Sequence, residues 1–260
     1  MCGRYVVVSS VEVIEKRFQV KAPELPLKMI PNYNLGPGSM APVITSDKPK
    51  ELQFFQFGLT PSWAKKKMYF FNARSEGDGN KENDPNYTGG KGIISKPSFR
   101  KPIRSQRCLV IADAFIEGST NEGLDHPFVV YLKQRRPFAL AGIFDRWTNH
   151  ETGEIVHSFA IITTTANELL QKIPHHRSPV ILAERDEQRW LKAEHLNEIT
   201  SMLEPYPSEE MNAYPVSPRI KNPRQNDRDL IEPVGQRLEP ETESRIKTEI
   251  KLEGMGSSKK

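Results

Sequence analysis

Short apolar runs, separated by Gly, Pro, Asn or Asp, dominate the hydrophobic pattern of the chain. Most of them are rich in β-branched or aromatic side chains, which is typical of β-strands. They predict strands at residues 5–8, 43–44, 52–57, 108–111, 128–131, 138–144 and 158–164.

Helical periodicity is weaker and is limited to residues 11–18, 166–171, 187–191 and a segment near 196–203. The strands are not separated by regular crossover helices, so a doubly wound sheet is disfavoured. The pattern predicts an α+β fold: a single domain with a mostly antiparallel, barrel-like β core and peripheral helices.

Two segments, 21–39 and 77–102, are rich in Pro, Gly, Asn and Lys and are expected to form long loops. Loops of this length in a compact domain are often functional. After residue 235 the chain is charged and poor in core residues. We therefore expect one domain over 1–235 and a flexible tail over 236–260, with a marginal helix at 244–252.

Composition narrows the class of protein. No apolar run approaches the roughly 18 residues that span a bilayer, and the first residues do not resemble a signal peptide, so a cytoplasmic protein is expected. The two cysteines, Cys2 and Cys108, are expected to be thiols in a reducing compartment. There is no CxxC or HxxxH spacing, so no metal site is expected. No cofactor is expected either.

The distribution of charge says more than the net charge of +4. Residues 91–107 carry six basic side chains and no acidic one, and Lys65, Lys66 and Lys67 follow Trp63. Cations interleaved with aromatic rings suit single-stranded nucleic acid, whose phosphates and unstacked bases they can bind. From charge alone, however, an ordinary solvated face is the better explanation.

An ordered set of short motifs adds the decisive information. In chain order they are MCGRY at 1–5, PNYN at 31–34, PVI at 42–44, GLTPSWA at 58–64, NARSE at 72–76, KPSFR at 96–100, RCLVIADAFIE at 107–117, AGIFDRW at 141–147, TTTAN at 163–167 and HHRSPV at 175–180. Together they resemble the SOS-response-associated peptidase domain, the family also called abasic-site processing proteins. VS at 216–217 and IEP at 231–233 extend the resemblance to about residue 235.

Three positions depart from the family pattern. Phe57 stands where the family usually has Trp, Gly118 follows the glutamate where Trp is usual, and Ser178 replaces a usual Met. The first change keeps an aromatic ring. The second removes a large flat side chain beside the expected catalytic glutamate and puts one stacking contact in doubt.

Cys2 is the residue on which the chemistry depends. Removal of Met1 would leave Cys2 with a free α-amine beside its thiol, and the amine's reference pKa of about 7.7–8.0 keeps part of it neutral in cells. An aldehyde would form a Schiff base with the amine, and the thiol could then close a thiazolidine ring at high effective concentration. Position 2 alone would suggest only a small strand residue; the motif set reverses that preference.

The resemblance implies three further catalytic residues. Glu117 ends an apolar run, so its pKa should be raised and suited to proton transfer. His175, with a reference pKa nearest neutrality, is assigned to opening the abasic sugar ring, and Asn72 to orienting the Cys2 amine. Without the resemblance, a surface glutamate, a loop histidine and a turn asparagine would be the better explanations.

The resemblance also implies that Arg4 and Arg74 contact DNA phosphates. Further, weaker candidates for the same groove are Trp63, Ser98, Arg100 and Thr164. The expected partner is single-stranded DNA containing abasic sites, bound by a monomer that would join the nucleoid when DNA is damaged.

Three functions remain open from the sequence. The first is a covalent abasic-site crosslinking protein, with possible lyase activity by β-elimination through the same Schiff base. The second is a peptidase with an N-terminal Cys nucleophile, which fits removal of a short propeptide, although only Met1 precedes Cys2. The third is a non-catalytic module that binds single-stranded DNA.

Overall fold

The protein is described by a computed structural model over residues 3–23 and 31–241. Cys2 and the predicted helix at 244–252 lie outside these residues. None of the helices in the described ranges is long and apolar enough to cross a bilayer.

β-Strands make up most of the regular structure. In chain order they are β1 (Arg4–Val7), β2 (Asn32–Leu35), β3 (Met40–Thr45), β4 (Lys48–Phe57), β5 (Asn72–Arg74), β6 (Arg107–Ala112), β7 (Ala114–Glu117), β8 (Phe128–Leu132), β9 (Phe138–Thr148), β10 (Ile155–Thr165), β11 (Arg177–Pro179), β12 (Ile181–Leu182) and β13 (Met211–Pro215). The helices are α1 (Val11–Phe18), α2 (Pro102–Ser105), α3 (Glu168–Lys172), α4 (Glu184–Lys192) and α5 (Leu196–Ser201). Short 3₁₀ turns lie in the connecting segments, at Gly92–Ser95, Gly123–Asp125, Ser208–Glu210, Pro218–Lys221 and Arg228–Ile231.

The core of the fold is a closed barrel. Strands β10, β4, β3, β6 and β9 pair in that order, and β9 pairs back onto β10, from Ile155 opposite Thr148 to Ile161 opposite Gly142. All of these pairings are antiparallel except the short parallel one between β4 and β10. The expected single domain with a barrel-like, mostly antiparallel core and peripheral helices is therefore confirmed.

A second antiparallel sheet, in the order β13-β8-β7-β1-β2, packs against the barrel. Tyr5 of β1 contributes to the same apolar core as Phe57 of β4 and Phe159 of β10. The Tyr5 ring meets the edge of Phe57 at 5.5 Å, and Phe57 stacks on Phe159 at 5.2 Å. Phe57 is fully buried, so the aromatic ring at this position serves packing. This packing fixes β7 against the barrel.

Asp113 lies between β6 of the barrel and β7 of the second sheet, where the chain passes from one sheet to the other. Its carboxylate accepts hydrogen bonds from the Val8 N–H (2.6 Å), the Ser9 N–H (2.8 Å) and the Ser9 hydroxyl (2.6 Å). A buried carboxylate with three donors holds the end of β1 beside the start of β7. The apolar run of residues 108–116 is therefore two strands in two sheets, where one strand at 108–111 was predicted.

The sequence pattern identified the long apolar strands and missed the short ones. All seven predicted strands are present, several of them longer, and α1 has the predicted bounds. The strands that were not predicted are β2, β5, β7, β11, β12 and β13. Several of these are two to four residues long. β2 was predicted as part of the loop at 21–39 because its polar sequence, NYNL, resembles that of a turn.

Residues 236–241, which the sequence assigned to the tail, pack on β13. The Leu238 N–H donates to the Ala213 carbonyl (2.9 Å). The Glu241 carboxylate accepts from the Tyr131 hydroxyl (2.7 Å) and from Asn212 Nδ2 (2.9 Å). The rest of the expected tail, residues 242–260, lies outside the described residues.

Candidate active site

A carboxylate and an imidazole meet where the two sheets approach each other. Glu117 is the last residue of β7, and His175 lies between α3 and β11. His175 Nε2 is 3.3 Å from Glu117 Oε2, and the residues are only 4% and 3% exposed. The structure thus brings together two of the residues that the sequence selected.

The other ring nitrogen fixes the tautomer of His175. His175 Nδ1 is 2.7 Å from the Arg177 carbonyl oxygen, which can only accept a hydrogen bond. The Arg177 N–H is also 3.3 Å from Nδ1 and would require Nδ1 to accept. The shorter contact decides, so we assign the proton to Nδ1. In neutral His175 the lone pair of Nε2 then faces Glu117.

Burial moves the two pKa values in opposite directions. It raises the pKa of Glu117 to about 7 and lowers the pKa of His175 to about 4. The expectation of a raised pKa for Glu117 is confirmed, whereas the expectation that His175 titrates nearest neutrality is wrong, because desolvation disfavours the imidazolium. Between about pH 4 and pH 7 the proton of the pair therefore resides on Glu117, whose carboxyl group can donate a hydrogen bond to Nε2.

A buried ion pair holds the peptide that orients His175. Arg177 donates to both carboxylate oxygens of Glu76, at 3.2 and 2.8 Å, and both residues are almost fully buried. Burial alone would raise the pKa of Glu76, but the hydrogen bond and charge of Arg177 leave it lowered. A bidentate pair is geometrically restrictive, so it fixes the Arg177 backbone that accepts from His175. Neither residue was given a role by the sequence, although both lie within its motifs.

β5 carries Asn72 and Arg74 to the same region. Asn72 pairs with Ile161 and Arg74 with Thr163 of β10, and Thr163 also pairs with Pro179 of β11. β5 and β11 are therefore two strand spacings apart, about 10 Å. Arg74 is one-third exposed and donates to the Asn80 carbonyl and to Asn83 Oδ1. Asn72 Nδ2 donates to the Phe71 carbonyl (3.1 Å).

Arg4 does not join this group. It pairs with Ile116, one residue before Glu117, and neighbouring residues of a strand point to opposite faces. Its guanidinium donates to Asn34 Oδ1 (2.8 Å) and to the Lys221 carbonyl (3.3 Å). Arg4 therefore lies on the face of the sheet opposite to Glu117.

Trp63 is presented to solvent by a well-fixed turn after β4. The Ser62 N–H donates to Asp145 Oδ2 and the Trp147 indole N–H donates to the Ala64 carbonyl, both at 2.7 Å. The side chain between these two anchors is 59% exposed. An exposed large ring on a backbone held from both sides is a suitable stacking surface.

The remaining groove candidates separate into exposed and buried residues. Ser98 is half-buried and Arg100 exposed, in the segment before α2. Thr164 is buried and its hydroxyl donates to the Leu203 carbonyl (3.3 Å), so its side chain does not line an open groove. Arg107 is also buried, with Nε donating to the Trp190 carbonyl (2.6 Å), and serves the fold.

Residues 3–23 and 31–241 offer neither a metal site nor a reactive cysteine. They contain no group of three or more His, Cys, Asp or Glu side chains that could hold a metal ion. Cys108 is fully buried, and burial raises the pKa of its thiol well above the usual range. This cysteine is unsuited to act as a nucleophile.

Comparisons with known proteins agree on one family. A sequence profile described as "SOS response associated peptidase (SRAP)" matches residues 1–223. A Bacillus subtilis protein named abasic site processing protein YoqW is 33% identical, over 89% of this chain and 99% of that protein. The Gallus gallus abasic site processing protein HMCES is 29% identical, over 78% and 66%. The crystal structure of a Bacteroides thetaiotaomicron protein superposes with a TM-score of 0.76 at 29% identity, covering 89% and 99%.

The raised pKa of Glu117 predicts a pH-dependent stability. A carboxyl group whose pKa is raised by folding stabilises the protein fully below its unfolded value, near 4.5, and this contribution is lost as the pH rises through about 7. Glu117→Gln stays neutral, so its free energy of unfolding should exceed that of the wild type by an amount that grows by about 3 kcal/mol from pH 4.5 to pH 8.

Urea unfolding of both proteins across this pH range makes the comparison. Glu151→Gln, at an exposed position, is the control and should show no such trend. A difference between Glu117→Gln and wild type that is independent of pH would contradict the raised pKa.

Proposed function

Because this chain belongs to the SOS response associated peptidase (SRAP) family, we propose that it processes abasic sites in DNA by bonding Cys2 covalently to the sugar aldehyde. The curated relatives named above are abasic site processing proteins. The single observation that carries the proposal is the buried Glu117–His175 pair. Glu117 directly follows Ile116, which pairs with Arg4 at the start of β1.

The register of β1 supports the choice of Cys2. Arg4 is opposite Ile116 and Tyr5 is opposite Phe115, so the same register continued by one residue puts Gly3 opposite Glu117. Opposite residues of an antiparallel pair have Cα atoms about 4.5–5.5 Å apart, and consecutive Cα atoms are about 3.8 Å apart. Cys2 itself lies outside the described residues, but it immediately precedes the position opposite Glu117, which supports its choice as the reacting residue. Buried Cys108 offers no comparable nucleophile.

The proposed reaction is a condensation that releases water. With Met1 removed, the neutral Cys2 amine attacks C1′ of the ring-opened sugar, and the carbinolamine loses its hydroxyl as water to give a Schiff base. The Cys2 thiol then adds to the imine carbon while the nitrogen takes up the thiol proton, which closes a thiazolidine ring. The ring is favoured because the thiol is held two carbons from the nitrogen.

Glu117 and His175 would supply the proton transfers as a unit. Carbinolamine dehydration needs an acid at the leaving hydroxyl, and sugar ring opening needs one at the ring oxygen. A carboxyl group with a pKa of about 7 can donate and recover a proton at cellular pH. His175, which stays neutral, would accept a hydrogen bond from this carboxyl group at Nε2 and hold it in place. Asn72 would orient the amine.

The DNA would be held without reading a base at the lesion. Single-stranded DNA requires phosphate contacts and stacking, since an abasic site has no base to recognise. Exposed Trp63 and partly exposed Arg74 suit these two roles. Exposed Lys65, Lys66 and Arg100 add positive charge.

Replacing Cys2 tests the covalent chemistry. Cys2→Ser keeps the α-amine but has a poor nucleophile for ring closure, so it should give no stable adduct on single-stranded DNA with one abasic site. Borohydride should still trap its Schiff base on a denaturing gel. Cys108→Ala, the matched control, should crosslink normally.

Two further results separate the alternatives. A form that keeps Met1 should bind the DNA yet give neither product. Stable crosslinking by Cys2→Ser at the wild-type level would refute ring closure by the thiol. Binding of abasic DNA by wild type without any covalent band would instead favour a non-catalytic module or a peptidase.

A double-mutant cycle tests the shared proton. Glu117→Gln and His175→Ala should each slow crosslink formation, by about a hundred- to ten-thousand-fold if the pair carries the acid–base catalysis. Because both act on one proton, the double variant should be no slower than the slower single variant. Single-turnover gel kinetics would measure this, and rate losses that multiply in the double variant would mean that the two residues act independently.

Arg74→Ala tests the phosphate contact. The variant should bind single-stranded DNA more weakly whatever the flanking sequence, and the plot of log affinity against log salt should be less steep by about 0.7. Lys48→Ala, which removes an exposed cation paired with Glu51, is the control. If fluorescence anisotropy titrations show the wild-type salt slope for Arg74→Ala, Arg74 makes no phosphate contact.

A further inference from the structure

The loop of residues 118–127 joins Glu117, at the end of β7, to Phe128, its partner at the start of β8. It begins with Gly118, where the family usually has Trp. A Cβ atom at Gly118 would lie 1.7 Å from the Gly123 carbonyl oxygen, which no side chain tolerates. The loop can therefore fold back over residue 118 only because that residue is glycine.

This loop has a defined internal structure. The Gly123 N–H donates to the Ser119 carbonyl (2.8 Å), and the Glu122 N–H donates to the Ser119 hydroxyl (3.0 Å). An ion pair between Asp125 and Lys221 ties its far end to the 3₁₀ turn at 218–221. It is thus an ordered element beside the site.

Thr120 connects the loop to the segment that carries His175. Its N–H donates to the Pro174 carbonyl (3.0 Å), and its hydroxyl lies 3.1 Å from the same oxygen and 2.6 Å from His176 Nδ1. If the hydroxyl proton goes to Pro174, Nδ1–H of His176 donates to the Thr120 oxygen; otherwise the hydroxyl donates to Nδ1. In both cases the His176 ring is held by Thr120.

His176 transmits this contact to His175. The two imidazole rings stack at 5.3 Å with 16° between their planes. The two nitrogens of the His175 ring contact the Arg177 carbonyl, through Nδ1, and Glu117, through Nε2. The stacked His176 ring covers one face of the His175 ring and so restricts tilting of that ring about the line through its two nitrogens. A continuous path of contacts therefore runs from Thr120 through His176 and His175 to Glu117.

We propose that the loop at 118–127 positions the imidazole of His175, with Thr120 as its positioning residue. Thr120 acts through His176 and touches neither the reacting atoms nor, in this role, the DNA. The kinetic part of this inference rests on the proposed function; the structural part does not.

The experiment compares Thr120→Val, Thr120→Ser and Gly118→Ala with wild type, and uses Thr152→Val as the matched control. Thr152 is an exposed threonine whose hydroxyl accepts only a local hydrogen bond from the Glu154 N–H (3.3 Å). The first readout is the tautomer of each histidine, from the ¹⁵N chemical shifts of the imidazole nitrogens. The second is the single-turnover rate of crosslinking to an abasic strand.

Thr120→Val should release the His176 ring and so let the His175 ring turn away from the Arg177 carbonyl. His175 should then change from a single Nδ1–H form to a mixture of tautomers, and crosslinking should slow about two- to tenfold, the effect of one lost hydrogen bond. Gly118→Ala should do the same, because the loop must move away. Thr120→Ser and Thr152→Val should match wild type in both readouts. An unchanged His175 tautomer in Thr120→Val, or a Thr120→Ser variant as impaired as Thr120→Val, would overturn the inference. If wild type forms no crosslink, the proposed function fails, while the tautomer measurement still decides this one.

Discussion

A single proton shared by two buried side chains is the constraint around which this protein is organised. Glu117 and His175 are almost entirely removed from water, and desolvation makes either charge costly, so the pair is most stable when both groups are neutral. The neutral pair, which predominates below about pH 7, requires the imidazole lone pair to face the carboxyl group. That orientation in turn requires an acceptor at Nδ1, which the Arg177 carbonyl provides.

Two separate sheets supply the pair, so the fold must hold them in fixed relation. Glu117 comes from the sheet built on β1, β7 and β8, whereas the segment with His175 precedes β11 on the edge of β10. Packing of Tyr5 on Phe57 joins the two sheets, and the bidentate Glu76–Arg177 pair locks the peptide after His175. Breaking a buried ion pair of this kind by removing one partner costs several kcal/mol, about 3–5. Glu76 therefore supports the site through the peptide that orients His175.

The sequence predicted the barrel better than it predicted the short strands that support the candidate site. Long apolar strands such as residues 138–144 have enough β-branched and aromatic side chains to be recognised alone, whereas β5 and β11 are three residues each and exist because they pair with β10. The motif set selected Glu117 and His175, but the order of their pKa values depends on burial, which reference values ignore. Thr164 became a groove candidate through the family resemblance, which does not show that β10 is buried on both faces at this point.

The central claim is that the Cys2 amine and thiol both bond to the sugar aldehyde, and peptide mass spectrometry of the DNA adduct tests it most directly. The adduct should map to the N-terminal peptide that begins at Cys2, with the summed mass less one water, and the Cys2 thiol should resist alkylation under denaturing conditions while Cys108 reacts. A Schiff base has the same mass as the ring but leaves the thiol free. An alkylated Cys2 within the adduct, or an adduct on a lysine-containing internal peptide, would contradict the account.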